Sequence, residues 1–139
     1  MASRVLVAVD GSEQSTAALE HAIVEHPEAD LIAIHVIDIL AGMYGEHYVD
    51  YQEIRTGQEQ RAEGVLNTAE EIAGEHDRDL TTETIVGKPA TAIVDAAEEQ
   101  DVDQIVIGSR GRSGVSRVLL GSVAETVVRR SPVPVTVVR

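Results

Sequence analysis

An open, doubly wound α/β sheet of five parallel strands is the fold this 139-residue sequence predicts, and three observations lead to it. Short apolar runs rich in valine and isoleucine alternate with longer segments of helical period. The runs are nearly continuous in their apolar character, as expected of strands covered on both faces. Strands that alternate with helices need crossover connections, and crossovers build parallel sheets.

The elements follow in chain order. Residues 3–10, SRVLVAVD, form a β-branched run that ends in a carboxylate before Gly11, a strand and then a turn. Ser12 is placed to cap a helix whose apolar positions are Ala18, Leu19, Ala22 and Ile23, with Pro27 beyond its end. Residues 30–38, DLIAIHVID, make the second strand. Residues 39–51 break the rhythm with two glycines and hold every aromatic of the chain: Tyr44, Tyr48 and Tyr51. A charged helix then runs from about Gln52 to Asp77, with Ile54, Ala62, Val65, Leu66, Ala69, Ile72 and Ala73 as its inner face. The third strand, LTTETIV, alternates polar and apolar residues and so belongs near a sheet edge. Gly87 and Pro89 turn the chain into the helix TAIVDAAEEQ, with Pro89 in its first turn. The fourth strand is DQIVIG, residues 103–108. After a loop rich in glycine and serine comes the helix SVAETVVRR, where Ser122 and Glu125 have the spacing of a capping box. Pro132 stops it, and PVTVVR closes the chain as a fifth strand. The length suits one core and not two, so residues 1–139 are expected to form a single domain.

Composition narrows the function. The chain has no cysteine, which excludes disulfides, thiolate metal sites and cysteine nucleophiles. No run approaches the ~18 consecutive apolar residues of a membrane helix, and the N-terminus lacks the pattern of a secretory signal. A cytoplasmic protein is expected. Twenty-four acids face eleven bases, a net charge of −13, which argues against nonspecific binding to nucleic acid. Lys88 is the sole lysine. Acid excess with scarce lysine resembles the proteins of salt-adapted cells, where self-repulsion is screened over ~3 Å at 1 M salt.

Against that background one segment stands apart. From Gln104 to Ala124 the chain carries no acid at all, but it does carry Arg110, Arg112 and Arg117. Gly108, Gly111, Gly114 and Gly121 permit unusual backbone and close approach of N–H groups to an anion. Ser113, Ser116 and Ser122 add hydroxyls, and the helix starting near Ser122 adds unpaired amides and the positive end of its dipole. In an open α/β sheet, ligands bind at the carboxyl ends of strands where strand order reverses. Phosphate is the anion that fits. A plain surface loop whose arginines pair with distant acids is the alternative. A Walker A loop is absent, since Lys88 lies in V-G-K-P, and the first strand ends in D-G-S instead of a dinucleotide fingerprint. The five histidines (21, 26, 35, 47 and 76) have no metal-binding spacing, and His35 is expected as an interior or capping side chain.

Gly108, Gly111, Gly121 and Ser122 spell G-x-x-G, nine residues, then G-S, with Arg112 to Leu120 as the spacers. This resembles the nucleotide-binding signature of the ATP-binding branch of the universal stress protein family. V-L-V-A-V-D-G-S, I-H-V-I-D, G-K-P-A and G-S-V-A-E-x-V-x-R-x-S-P-V-P-V, in that order along the chain, resemble it too. The resemblance implies a Rossmann-like fold of the adenine nucleotide alpha hydrolase type, with strand order 3-2-1-4-5. It implies that Asp10 hydrogen-bonds the nucleoside and that Ala8, Val9 and Val36 border adenine, with Ile107 in the same set. It also implies that the amides of Gly108, Arg110, Gly111, Gly121, Ser122 and Val123 hold ribose and phosphates. The ligand would be ATP, AMP or ADP, with Mg²⁺ near the Ser122 hydroxyl, in a homodimer joined through the C-terminal strand. Asp10 has a second role open to it as a turn or cap residue. The tyrosines are read as edge or subunit packing, with a lid over the base as the alternative.

The leading function is a regulatory module for stress that binds ATP or AMP without efficient catalysis, because no base stands beside the loop. Two rivals remain. One is a slow nucleotide hydrolase or phosphotransferase using Asp10 or Asp38, and the other is a dimeric interaction protein with a vestigial site.

Overall fold

In the computed structural model, which describes residues 3–38, 51–109 and 120–139, every expected strand and helix is present. The strands are β1 (Arg4–Ala8), β2 (Asp30–Ile37), β3 (Leu80–Val86), β4 (Gln104–Gly108) and β5 (Val135–Val138). The helices are α1 (Glu13–Glu25), α2 (Tyr51–Glu75), α3 (Pro89–Glu99) and α4 (Ser122–Arg130). All four strand pairings are parallel, in the order β3-β2-β1-β4-β5 expected above. Register is set by pairs such as Arg4 with Asp30, Val5 with Gln104, Leu31 with Leu80 and Ile105 with Val135.

Alternation along the strands divides the interior into two cores. Val5, Val7 and Val9 face one side, where they meet Leu31, Ala33 and Val106 under α1 and α2. Leu6, Ile32, Ile34, Ile105 and Ile107 face the other, under α3 and α4. Each fully buried Leu, Ile or Val contributes ~1.5–3 kcal/mol relative to exposure, so both helix layers are held by burial. The inner faces read from the sequence are the packed ones: Ala18, Leu19, Ala22 and Ile23 on α1, and Ala62, Leu66, Ala69 and Ala73 on α2. β3 forms one edge, as expected, and leaves Thr81, Glu83, Thr84 and Val86 exposed. β5 forms the other edge, with all four of its residues half-buried.

The helix ends show how the crossovers are fixed. Ser12 caps α1, its Oγ accepting from Ser15 N–H at 3.1 Å. At the far end Arg78 donates to the carbonyls of Ile23, His26 and Ala29 at 2.8, 3.0 and 2.8 Å. One guanidinium thus serves three carbonyls at the end of α1 and in the following turn, where His26 C=O also accepts from Ala29 N–H at 3.2 Å. The capping box expected at α4 does not form. Gly121 is the N-cap, so Ser122 is already helical, and Glu125 pairs with Arg129 at 2.8 Å instead.

Candidate functional site

Strand order reverses between β1 and β4, so the crevice between their carboxyl ends is where a ligand is expected. A cleft of about 150 Å³ opens there on the α3/α4 side of the sheet. Ala8, Val9, Asp10, Val36, Ile107, Gly108 and Val123 line it, so these expected site residues are brought together. Gly121 and Ser122 lie at the start of α4 and are not among the lining residues. Arg110 and Gly111 lie outside the described residues, as do Arg112 and Arg117. Larger cavities exist, including one of about 300 Å³ between α1 and α2, but topology and polar groups favour the smaller cleft.

The walls are built from strand ends. Ile34 C=O accepts from Val9 N–H at 2.8 Å, which turns the peptide groups of residue 34 toward β1. Two residues on, Val36 turns its N–H and C=O the same way, but β1 pairing has ended at Ala8. Val36 therefore presents one donor and one acceptor to the crevice with no strand opposite. Ile37 faces the other side, its C=O accepting from Gly87 N–H at 2.9 Å.

Asp10 closes the end of β1. Its Oδ1 accepts from Ser12 N–H at 2.9 Å, an Asx turn, and its own N–H donates to Ser15 Oγ at 3.2 Å. The turn role weighed for Asp10 is thus real, and it leaves the residue on the cleft wall. Gly11 follows with φ +85°, a left-handed conformation that glycine adopts without strain. His35 is buried, as expected, and its Nδ1 donates to Val9 C=O at 2.8 Å.

Gly108 has a packing role in addition to the one its place in the loop suggests. A Cβ there would come within 2.8 to 2.9 Å of Gln14 in the first turn of α1. Close approach of α1 to β4 therefore requires glycine before any ligand arrives. Gly121, with φ −64°, does not use left-handed backbone either. Its N–H donates to Ser109 C=O at 2.7 Å, and Ser109 N–H donates to Val138 C=O at 2.7 Å. These bonds tie both ends of the arginine-bearing loop at its base. The Gly121 amide is committed to that tie, which leaves Ser122, Val123 and Ala124 as the leading amides of α4.

Comparison with known proteins places this architecture. The profile of the universal stress protein family matches residues 1–139. The chain belongs to the universal stress protein family. A universal stress protein of Bacillus subtilis is 36% identical over 152 residues, covering 100% of each chain. One from Methanocaldococcus jannaschii is 34% identical over 140 residues, covering 98% of this chain and 81% of the relative. A universal stress protein solved in complex with cAMP superposes with TM-score 0.73 at 27% identity, covering 99% of this chain and 97% of the other.

Within this universal stress fold, four lining residues had not been singled out: Ser15, Ile34, Pro89 and Ile93. Pro89 sits in G-K-P-A, a segment that carried the family resemblance, so it had a signal. Ser15, Ile34 and Ile93 read as helix or core positions, and only the packing reveals them. Asp38 is not among the lining residues. Tyr44 and Tyr48 lie outside the described residues, as does the side chain of Tyr51, whose backbone begins α2. Among the described residues no group of three or more His, Asp or Glu could hold a metal ion.

Proposed function

We propose that this universal stress protein binds an adenine nucleotide (AMP, ADP or ATP) in the β1/β4 crevice and acts as a regulatory module in stress response. The Val36 peptide groups carry the reading. Adenine offers an amino donor beside a ring acceptor on its Watson–Crick edge, which a backbone C=O and N–H complement. Guanine reverses that pattern. Ala8, Ile34, Ile93 and Ile107 supply apolar walls for the base, and Asp10 is placed for the nucleoside. Phosphates would extend toward the first turn of α4 and the acid-free loop, whose amides include those of Arg110 and Gly111. The relative in complex with cAMP supports an adenine nucleotide at such a site. Titration with AMP and GMP tests this, with at least tenfold weaker binding of GMP expected. Equal affinities would contradict the role given to Val36.

A regulatory role is favoured over catalysis because Asp10 Oδ1 is engaged in its own turn and is not held as a base. Mg²⁺ would enter with ATP as the counter-ion of the phosphates. If turnover by pure protein collapsed in Asp10→Asn, the slow hydrolase would replace the regulatory reading. Residues 1–139 are proposed as a single universal stress domain, cytoplasmic in a salt-adapted cell and without nucleic acid as a partner. Among the described residues no helix is long and apolar enough to cross a membrane.

A homodimer through β5 completes the proposal. Carbonyls of Pro134 and Val138 accept from the N–H groups of Ile105 and Ser109, so Val135 and Val137 turn their peptide groups to the open edge. Val137→Pro removes one outward N–H while sparing the β4 ladder, and should weaken the dimer in light scattering. An undiminished dimer would place the contact elsewhere.

A further inference from the structure

The end of β1 is held from the sheet face opposite the cleft. Two consecutive carbonyls accept from side chains on the α1/α2 side: Val9 C=O from His35 Nδ1 at 2.8 Å, and Asp10 C=O from Arg61 Nη2 at 2.9 Å. His35 belongs to β2, but Arg61 comes from the middle of α2, 51 residues along the chain. The same guanidinium nitrogen lies 4.0 Å from where a Cβ on Gly11 would stand, and Val65 lies at 3.4 Å. α2 therefore backs the Asp10–Gly11 peptide directly. With Ser15 on the Asp10 N–H and Ser12 N–H on its carboxylate, the N–H, C=O and Oδ1 of Asp10 all have partners. Arg61 is the donor in that set that comes from α2.

We infer that Arg61 is a positioning residue of the nucleotide cleft, and that docking of α2 and nucleotide binding are linked through its bond to Asp10. The inference rests on the reading of the cleft as an adenine nucleotide site. Without the guanidinium, a half-buried carbonyl loses a charge-assisted partner, and the peptide between Asp10 and the left-handed Gly11 is free to rotate. The Asp10 carboxylate is then held on the cleft wall by a turn that is no longer anchored to α2. Linkage is reciprocal, so a nucleotide that holds Asp10 in place also favours the docked α2.

Calorimetric titration with AMP of the full chain and of Arg61→Met and Arg61→Lys tests this, together with hydrogen exchange across residues 51–75. The wild type is expected to bind AMP, and Arg61→Met to bind about tenfold more weakly, equivalent to about 1.4 kcal/mol. Arg61→Lys recovers part of the loss, because an ammonium restores one charged donor. AMP slows exchange in α2 of the wild type and leaves Arg61→Met unaffected. Should Arg61→Met fail to fold, Arg61→Lys carries the comparison, with intermediate affinity and intermediate protection expected. Wild-type affinity in both variants, or undiminished protection of α2 in the variant measured, would overturn the inference while leaving the nucleotide site standing. Failure of the wild type to bind AMP would instead overturn the site itself.

Discussion

Substituting Gly108 by alanine separates two reasons for a glycine at the mouth of the cleft. The added Cβ would lie 2.8 Å from Gln14 C, 2.9 Å from its Cβ and 2.9 Å from its O. Ordinary carbon contacts are ~3.5–4.0 Å, so some part of the structure must move. Two of those three atoms are backbone in the first turn of α1. That turn is fixed by the Ser12 cap and by burial of Ala18 and Leu19 one turn on, so it cannot yield cheaply. Overpacking of this kind costs ~1–3 kcal/mol. A chain of this length has an unfolding entropy near ~0.3 kcal/mol/K, so the melting temperature should fall by ~3–10 °C. Thermal and urea unfolding of nucleotide-free protein, followed by circular dichroism, measures this. The midpoint should drop with the urea slope unchanged. An unchanged midpoint together with lost AMP binding would refute the packing argument and return Gly108 to the ligand alone.

Three further outcomes follow from other parts of the fold. Gly64→Ala on α2 meets nothing within 4 Å, so it should stabilise the protein by ~0.5–1 kcal/mol in the same urea assay. A loss of stability there would mean that the α1/α2 groove is tighter than it stands in the structure. Arg78→Met removes donors from three carbonyls at the end of α1 and should cost ~1–3 kcal/mol. A change within ~0.5 kcal/mol would show that water replaces the guanidinium at no cost. With a net charge of −13, the melting temperature should rise between ~0.1 M and ~1 M NaCl as self-repulsion is screened. A flat or falling curve would remove the physical basis for reading the composition as salt-adapted.

The fold was legible because its information is local. Runs such as VLVAV and LIAIHVI state strands buried on both faces, and Ser12, Pro89 and Pro132 punctuate the helices between them. The polar alternation of LTTETIV placed β3 at an edge. What escaped depends on distant partners or on the main chain. Arg61 and Arg78 read as ordinary charges on a helix surface and a turn, yet each serves carbonyls about fifty residues away. Val36 acts through peptide groups that no side-chain alphabet records, and its exposure follows from where β1 stops. Ser122 has the sequence signal of a cap because Glu125 stands three residues on, the spacing of a capping box. The extended backbone at Gly121 and its bond to Ser109 moved the helix start by one residue. Gly108 carried a glycine signal that was correct in position, while its structural cause lies in α1.

Whether an adenine nucleotide occupies the β1/β4 crevice is tested most directly by the protein's own cargo. Purified protein, desalted in buffer of high ionic strength and then denatured, should release AMP, ADP or ATP identifiable by mass spectrometry. Protein stripped of that cargo should take up AMP again at one site per chain. Release of no adenine nucleotide, with no uptake of AMP or ATP at either low or high salt, would contradict the account at its centre.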